Sequence, residues 1–259
     1  MTIEEQTGVT FRQVIAGYNH SLAVTSDGRV YTWGYDGSGL LGRKGVQHIP
    51  VAIETGWDNN SKGFKVRVPR KVLAIKQDKQ DGFKQQLAKV SYSTRVEQVQ
   101  CVNLGTLVLT DKGDVYYCGD NRYQQLPHSE EHNTNELQKG HEENVFKQIN
   151  FKFRVKMIAC GGDHLFAVTA EDKVFAWGRN DCAQLGIGMQ QDYMNAPIEV
   201  PAFRDVAVTK IVCGPNYSAA ITSSSRLMVA GSIEHGKLGL GPNQRSGFVQ
   251  NFTLVSRLR

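Results

Sequence analysis

Along residues 20–34 the apolar positions recur at a period of two, which marks strands with two distinct faces and not helices. Leu22 and Val24 alternate with Ser21, Ala23 and Thr25. Asp27 and Gly28 then supply turn chemistry, and Val30 to Trp33 form a second run rich in β-branched and aromatic residues. The two runs predict a β-hairpin closed by an Asp-Gly turn. On its second strand Val30 and Thr32 share one face while Tyr31 and Trp33 share the other, so both faces are bulky and largely apolar. Such a sheet has to be covered on both sides.

The same pattern returns three more times. His20 to Gly34 is 14 residues and Gly34 to Leu41 is 7, and the same steps run Gly105, Gly119, Leu126, then His164, Gly178, Leu185, then Tyr217, Gly231, Leu238. Thr25, Thr110, Thr169 and Thr222 hold one column throughout. Small sheets that bury both faces against copies of themselves give a radial stack or a solenoid. The segments Phe11 to Ala16, Lys156 to Cys160 and Thr209 to Cys213 read as a further strand per copy. Ile49 to Ile53, Val145 to Phe151, Pro197 to Pro201 and Phe248 to Val255 read as the last. The expectation is a single all-β domain over residues 1–259, with repeats at about 11–56, 96–151, 152–204 and 205–259.

The motifs support a family resemblance. The opening Ala16-Gly17-x-x-His20 and Cys160-Gly161-x-x-His164, the runs Val30 to Gly34 and Val174 to Gly178 with Trp33 and Trp177, and the closing Leu-Gly pairs at Leu41, Leu185 and Leu238 resemble the regulator of chromosome condensation repeat. Copies two and four depart from it. Gly105 and Tyr217 stand in the histidine column, Cys118 and Ala230 in the tryptophan column, and Pro127 replaces the last glycine, although Gly214 still heads copy four. The resemblance implies a β-propeller of four-stranded blades, usually seven in that family. This chain supplies about four, whereas seven would need roughly 350 residues at the shortest spacing present. Four blades at a seven-blade angle form an arc with apolar end faces, to be completed by a partner chain, a second copy or a larger assembly; a tighter four- or five-bladed closure is the alternative.

Charge adds one feature. Residues 57–95 interrupt the repeat spacing and carry seven Lys and three Arg against three Asp, a net +7, so with +5 for the whole chain the remainder carries about −2. Phe64, Val66 and Val68 alternate with Lys65 and Arg67, and Val72 to Ile75 is apolar, which predicts a projecting basic hairpin. Lys62, Lys65, Arg67, Arg70, Lys71 and Lys76 are the candidate partner-binding residues, suited to an acidic partner through a salt-sensitive attraction. The same residues suit a solvated loop.

Other chemistry is thin. Residues 128–147 bring together five Glu with His128, His132 and His141, but the segment is polar and offers no apolar shell to orient metal ligands; it reads as an acidic loop. His20 and His164 occupy equivalent positions and read as groups with a role in each blade, hydrogen-bonded to neighbouring backbone, and not as catalytic residues. The run Gly37 to Gly42 matches a dinucleotide-binding glycine pattern without the strand, turn and helix that pattern needs, and reads as a repeat turn. Cys101, Cys160 and Cys213 share the column of Ala16 and read as small core residues. No catalytic constellation, metal set or cofactor motif is expected. The start, with Glu4 and Glu5 and no basic or apolar run, reads as lacking a leader, and no apolar stretch approaches the roughly 18 residues of a membrane span; an intracellular, soluble chain is expected, its compartment open. The resemblance implies a non-catalytic scaffold module. Its alternatives are guanine-nucleotide exchange on a small GTPase, or binding of nucleic acid or an acidic filament tail through the basic insertion.

Overall fold

Each repeat folds into one antiparallel sheet whose strands follow chain order from the inner to the outer edge. The computed structural model describes residues 10–35, 39–42, 51–57, 64–67, 95–103, 105–123, 142–241 and 247–256. Blade 1 comprises β1 (Phe11–Ala16), β2 (His20–Thr25), β3 (Val30–Gly34), β4 (Val51–Trp57) and β5 (Phe64–Arg67). Blade 2 comprises β6 (Val96–Val102), β7 (Gly105–Thr110), β8 (Val115–Asp120) and β9 (Glu142–Ile149). Blade 3 has β10 (Val155–Cys160), β11 (His164–Thr169), β12 (Val174–Arg179) and β13 (Tyr193–Glu199), and blade 4 has β14 (Val208–Cys213), β15 (Tyr217–Thr222), β16 (Leu227–Ser232) and β17 (Phe248–Leu254). Among the described residues the only helical turns are two 3-10 segments, Pro201–Phe203 and Glu234–Gly236.

The invariant columns have local causes. Each column threonine closes its hairpin turn: its Oγ1 accepts the main-chain N–H four residues on, at 2.9 Å from Arg29, 3.1 Å from Asp114, 3.2 Å from Lys173 and 3.1 Å from Arg226. The column glycines Gly34, Gly119, Gly178 and Gly231 all have φ between +89° and +119°. A β-carbon at Gly178 would stand 2.6 Å from the Asp163 carbonyl oxygen, and one at Gly231 2.6 Å from that of Asn216. Only glycine meets both demands. The same carbonyls accept the next N–H, Arg179 to Asp163 at 2.9 Å and Ser232 to Asn216 at 3.0 Å, so the close approach is a bonded one.

The blades stack side by side as an arc, a partial β-propeller. Strand β6 lies beside β1 and β2, β10 beside β6 and β7, and β14 beside β10. Three apolar seams result. Leu22, Val24 and Val30 of blade 1 meet Val99, Val108 and Tyr116 of blade 2. Leu107, Leu109 and Tyr117 meet Ile158, Ala167 and Trp177. Phe166, Val168 and Ala176 meet Ile211, Ala220 and Phe252. The two faces anticipated for β3 are real: Val30 packs into the first seam while Tyr31 and Trp33 lie on the opposite side of the sheet.

Three outer strands differ from the bounds read off the residues, β9 running Glu142–Ile149 in place of Val145 to Phe151. The outer strand of blade 3 ends at Glu199 and not at Pro201, because Val200 donates to the Val174 carbonyl at 2.8 Å and Pro201, lacking an N–H, opens the 3-10 turn that sets Phe203 against Phe252 at 4.7 Å. The outer strand of blade 1 runs Val51–Trp57 and pairs onward with β5, Glu54 opposite Arg67 and Gly56 opposite Lys65, which gives that blade a fifth strand. The second half of the anticipated basic hairpin, Val72 to Ile75, lies outside the described residues.

Candidate interaction surfaces

The G-x-x-H turn forms a latch between neighbouring blades. Gly17 donates to the His20 carbonyl at 2.8 Å, and the His20 ring lies so close over Gly17 that a β-carbon there would sit 2.9 Å from Cε1. The imidazole therefore reaches out of its own sheet, and its Nε2 stands 3.1 Å from the Thr106 hydroxyl of blade 2. That hydroxyl donates to the Leu40 carbonyl at 2.7 Å, so the imidazole is the donor in its own bond. Blades 3 and 4 repeat the arrangement: His164 Nε2 is 2.9 Å from Ser218 Oγ, which donates to the Gln184 carbonyl at 2.7 Å. The bond expected to neighbouring backbone is thus accompanied by one to a side-chain hydroxyl of the next blade, Thr106 for His20 and Ser218 for His164. Burial lowers the His20 pKa to about 4, against a smaller upward pull from the Gly105 main chain. Burial, with Arg179 nearby, lowers that of His164 to about 3. Both rings are neutral at pH 7.

A second tie joins the inner strands. The Gln13 amide donates to the Val99 carbonyl and accepts its N–H, both at 3.3 Å. Gln98 does the same to Ile158, at 2.8 and 3.0 Å. Sequence reasoning missed this clamp because its column reads Gln13, Gln98, Met157, Lys210 and so shows no repeat. The seam between blades 2 and 3 lacks the latch, with Gly105 in the histidine column and Leu165 opposite. There Arg179 lies over the Tyr123 ring at 5.4 Å, and Asp163 is buried enough to raise its carboxyl pKa, against the pull of Arg179 and a hydrogen bond to Asn103.

The latch, the clamp and the seams run out at both ends of the arc. Val14 is 68% exposed, although its counterparts Val99, Ile158 and Ile211 are 0%, 1% and 6% exposed beneath the preceding blade. Ile221 is 40% exposed against 0%, 1% and 0% for Val24, Leu109 and Val168. Val212 is likewise exposed on blade 4, as are Tyr18 and Tyr35 on blade 1. Trp177 is buried in a seam, edge-on to Phe151 at 5.4 Å, whereas its counterpart Trp33 is only partly buried on the outward face of blade 1.

The remaining repeat positions are brought into these contacts. Leu41, Leu185 and Leu238 are buried, and a β-carbon on the following Gly42 or Gly186 would strike the ring of Phe146 or Phe252 in the next blade. Gly214 lies under the Tyr217 ring as Gly161 does under His164. Cys101, Cys160 and Cys213 pack into the seams, where burial raises the Cys101 and Cys213 thiols to about 12. Of the candidate partner-binding residues, Lys65 and Arg67 lie on β5, which runs beside β9. Lys62, Arg70, Lys71 and Lys76 lie outside the described residues, as do His128, His132 and His141. Among the described residues no three His, Cys, Asp or Glu side chains form a metal-binding group, and no helix is long and apolar enough to cross a membrane.

Sheets stacked as blades, latched through a repeated histidine and open at both ends, define a β-propeller repeat protein. The chain belongs to the regulator of chromosome condensation (RCC1) repeat family: profiles of that repeat match residues 112–168 and 171–221, and 11–39 and 155–184, together more than half of its length. It is 27% identical to the RCC1 domain-containing protein RUG3, mitochondrial, of Arabidopsis thaliana, over 89% of this chain and 56% of that protein. The crystal structure of human WBSCR16 superposes with a TM-score of 0.69 at 22% identity, covering 95% of this chain and 53% of that one. Prp20p of Saccharomyces cerevisiae, studied for its binding to Gsp1p and histones, superposes with a TM-score of 0.54 at 15% identity, covering 96% and 66%. The chain thus spans about half the length of the relatives it matches.

Proposed function

We propose that this chain is a non-catalytic protein-interaction module that works as a subunit of a larger assembly, its two end faces taking up other macromolecules. One observation carries the reading: positions buried at every internal seam are open to solvent at the ends of the arc, with Val14 at 68% and Ile221 at 40% exposure. Apolar positions left open where their counterparts are buried mark places at which a neighbour can pack. Nothing in the columns sets a nucleophile, base and orienting group together; the buried histidines and thiols have pKa values shifted away from neutral-pH chemistry. An intracellular setting fits, since no disulfide joins the five cysteines. The test is native purification followed by light scattering. A complex heavier than the 28.8 kDa chain is expected, and a stable, well-behaved monomer counts against the proposal.

The net +7 of residues 57–95 favours a second reading, in which the basic segment holds an acidic surface: a small GTPase undergoing nucleotide exchange, nucleic acid or an acidic filament tail. Prp20p lends this support by the partners it was studied with, a GTPase-type exchange role being what the family resemblance implies. Replacing Lys62, Lys65, Arg67, Arg70, Lys71 and Lys76 by Gln or Ser should abolish salt-sensitive retention on heparin and any acceleration of nucleotide release. Retention and release unchanged by the replacements remove this reading.

A further inference from the structure

We infer that Phe153 and the cations around it, on the turn-bearing edge of blade 3, form a stacking site for single-stranded nucleic acid, separate from the basic segment 57–95 and independent of the end faces. The site lies in the connector Phe151-Lys152-Phe153-Arg154, which leads from β9 into β10. Its two aromatic rings do different jobs. Phe151 turns into the seam, edge-on to Trp177 at 5.4 Å. Phe153 stays outside, 41% exposed, with its ring stacked on that of Phe175 at 5.5 Å and an interplanar angle of 19°. The Lys173 ammonium lies over the Phe153 ring at 5.7 Å. Lys173 and Phe175 are two residues apart at the start of β12 and project to the same side of the sheet, so they meet Phe153 from one side and leave the rest of its ring to solvent.

The surroundings are positive. Lys152, Arg154 and Lys173 are exposed, and among the described residues none of them has a carboxylate partner. Arg154 donates to the neutral Asp111 carbonyl at 2.8 Å and packs against Gly113, beside Lys112 in the hairpin turn of blade 2. Nearby carboxylates are committed elsewhere: Asp172 to Lys156 at 2.6 Å, Asp114 to the Gln148 amide at 3.2 Å, and Asp111 to the Arg95 N–H at 3.1 Å.

The repeat itself requires neither the outer ring nor these charges. Val208 pairs with Thr222 as Val155 pairs with Thr169, so Asp205, Val206 and Ala207 of the next connector correspond to Lys152, Phe153 and Arg154. That connector packs Phe203 into its seam and carries no outer aromatic ring and no cation at those three positions. A flat ring backed by a second ring, with cations beside it, matches the two parts of a nucleotide: the base stacks and the phosphate meets ammonium or guanidinium. A single strand offers free base faces, whereas a duplex stacks its own. An acidic peptide would use the cations and leave the ring idle.

Fluorescence anisotropy with labelled U and dT strands of about 12 nucleotides tests the inference. The protein is the full chain with Lys62, Lys65, Arg67, Arg70, Lys71 and Lys76 replaced by Gln, so that the basic segment contributes nothing. Binding of either strand is expected, at least ~10-fold tighter than binding of a duplex or an oligoglutamate of the same length; a preference between U and dT distinguishes RNA from DNA as the source. Phe153→Leu, which keeps an apolar cover over Phe175, is expected to weaken binding ~10-fold. Lys152→Gln with Lys173→Gln is expected to lower the slope of log affinity against log salt by about 1.4. Affinity unchanged by Phe153→Leu, with matching circular dichroism and thermal midpoints, overturns the inference. So does the absence of binding, or a duplex or oligoglutamate held as tightly as the single strand. If Phe153→Leu does not fold, Lys152→Glu takes its place under the same criteria. The partner reading fails separately, if the natively purified protein is a lone monomer.

Discussion

His20 and His164 tie the repeat together because burial keeps them uncharged, and that makes the latch sensitive to acid. Their pKa values fall from 6.5 to about 4 and about 3. The unfolded chain thus binds more protons as soon as pH drops below 6.5. The stability held above that pH is lost as pH falls, and the loss is complete only below the folded values. Each histidine then contributes a slope of up to about 1.4 kcal/mol per pH unit. A thermal midpoint that declines from pH 7 to pH 4, less steeply in His164→Asn, is the expected outcome. Backbone positions are as demanding. Gly178→Ala forces a side chain into φ +89° and against the Asp163 carbonyl, and a loss of about 2–3 kcal/mol or more in denaturant unfolding is expected. Thr169→Val leaves the Lys173 N–H without its acceptor, for a loss of about 1–3 kcal/mol. These residues were legible in the sequence because the glycine and the threonine recur in every blade and the histidine in two of the four, so that each prints a column. The hydroxyl that completes each latch was not: Thr106 and Ser218 share their column with Ser21 and Leu165, which have no such bond, and the contact joins residues 86 and 54 positions apart.

At the scale of elements, the hairpins could be read directly, since period-two alternation with a turn signal dictates strands β2, β3, β11 and β12 almost residue for residue. Outer strands were less legible. Each is held by the sheet it joins more than by its own pattern, so the ends of β4, β9 and β13 move by two to four residues from the expected ones. The glutamine clamp is an element-level device that left no column, because one side chain bonding both sides of a neighbour's main chain works at two seams and is replaced by Met157 at the third. Gln98→Leu removes two hydrogen bonds across the seam between blades 2 and 3, leaving the Ile158 main-chain groups unpaired. A destabilisation of about 1–3 kcal/mol is expected, with faster amide exchange at Ile158. Met157→Leu, at the seam without a clamp, should cost less than about 1.5 kcal/mol.

For the whole molecule, the arrangement is an arc in which every interior blade covers two neighbours and each end blade covers one. Val14→Asp and Ile221→Asp should therefore change stability by no more than about 0.5 kcal/mol while abolishing partner binding, whereas Val168→Asp, at the buried counterpart of Ile221, should prevent folding. The repeat count made the arc legible in the sequence; which columns end bare could be seen only once the seams were in place. The most direct test of the account is amide exchange on the natively purified assembly beside the isolated chain. The account predicts protection gained at β1 and β14–β15, the strands that carry Val14, Val212 and Ile221, with the internal seams unchanged. Exchange at those strands identical in both samples would contradict it.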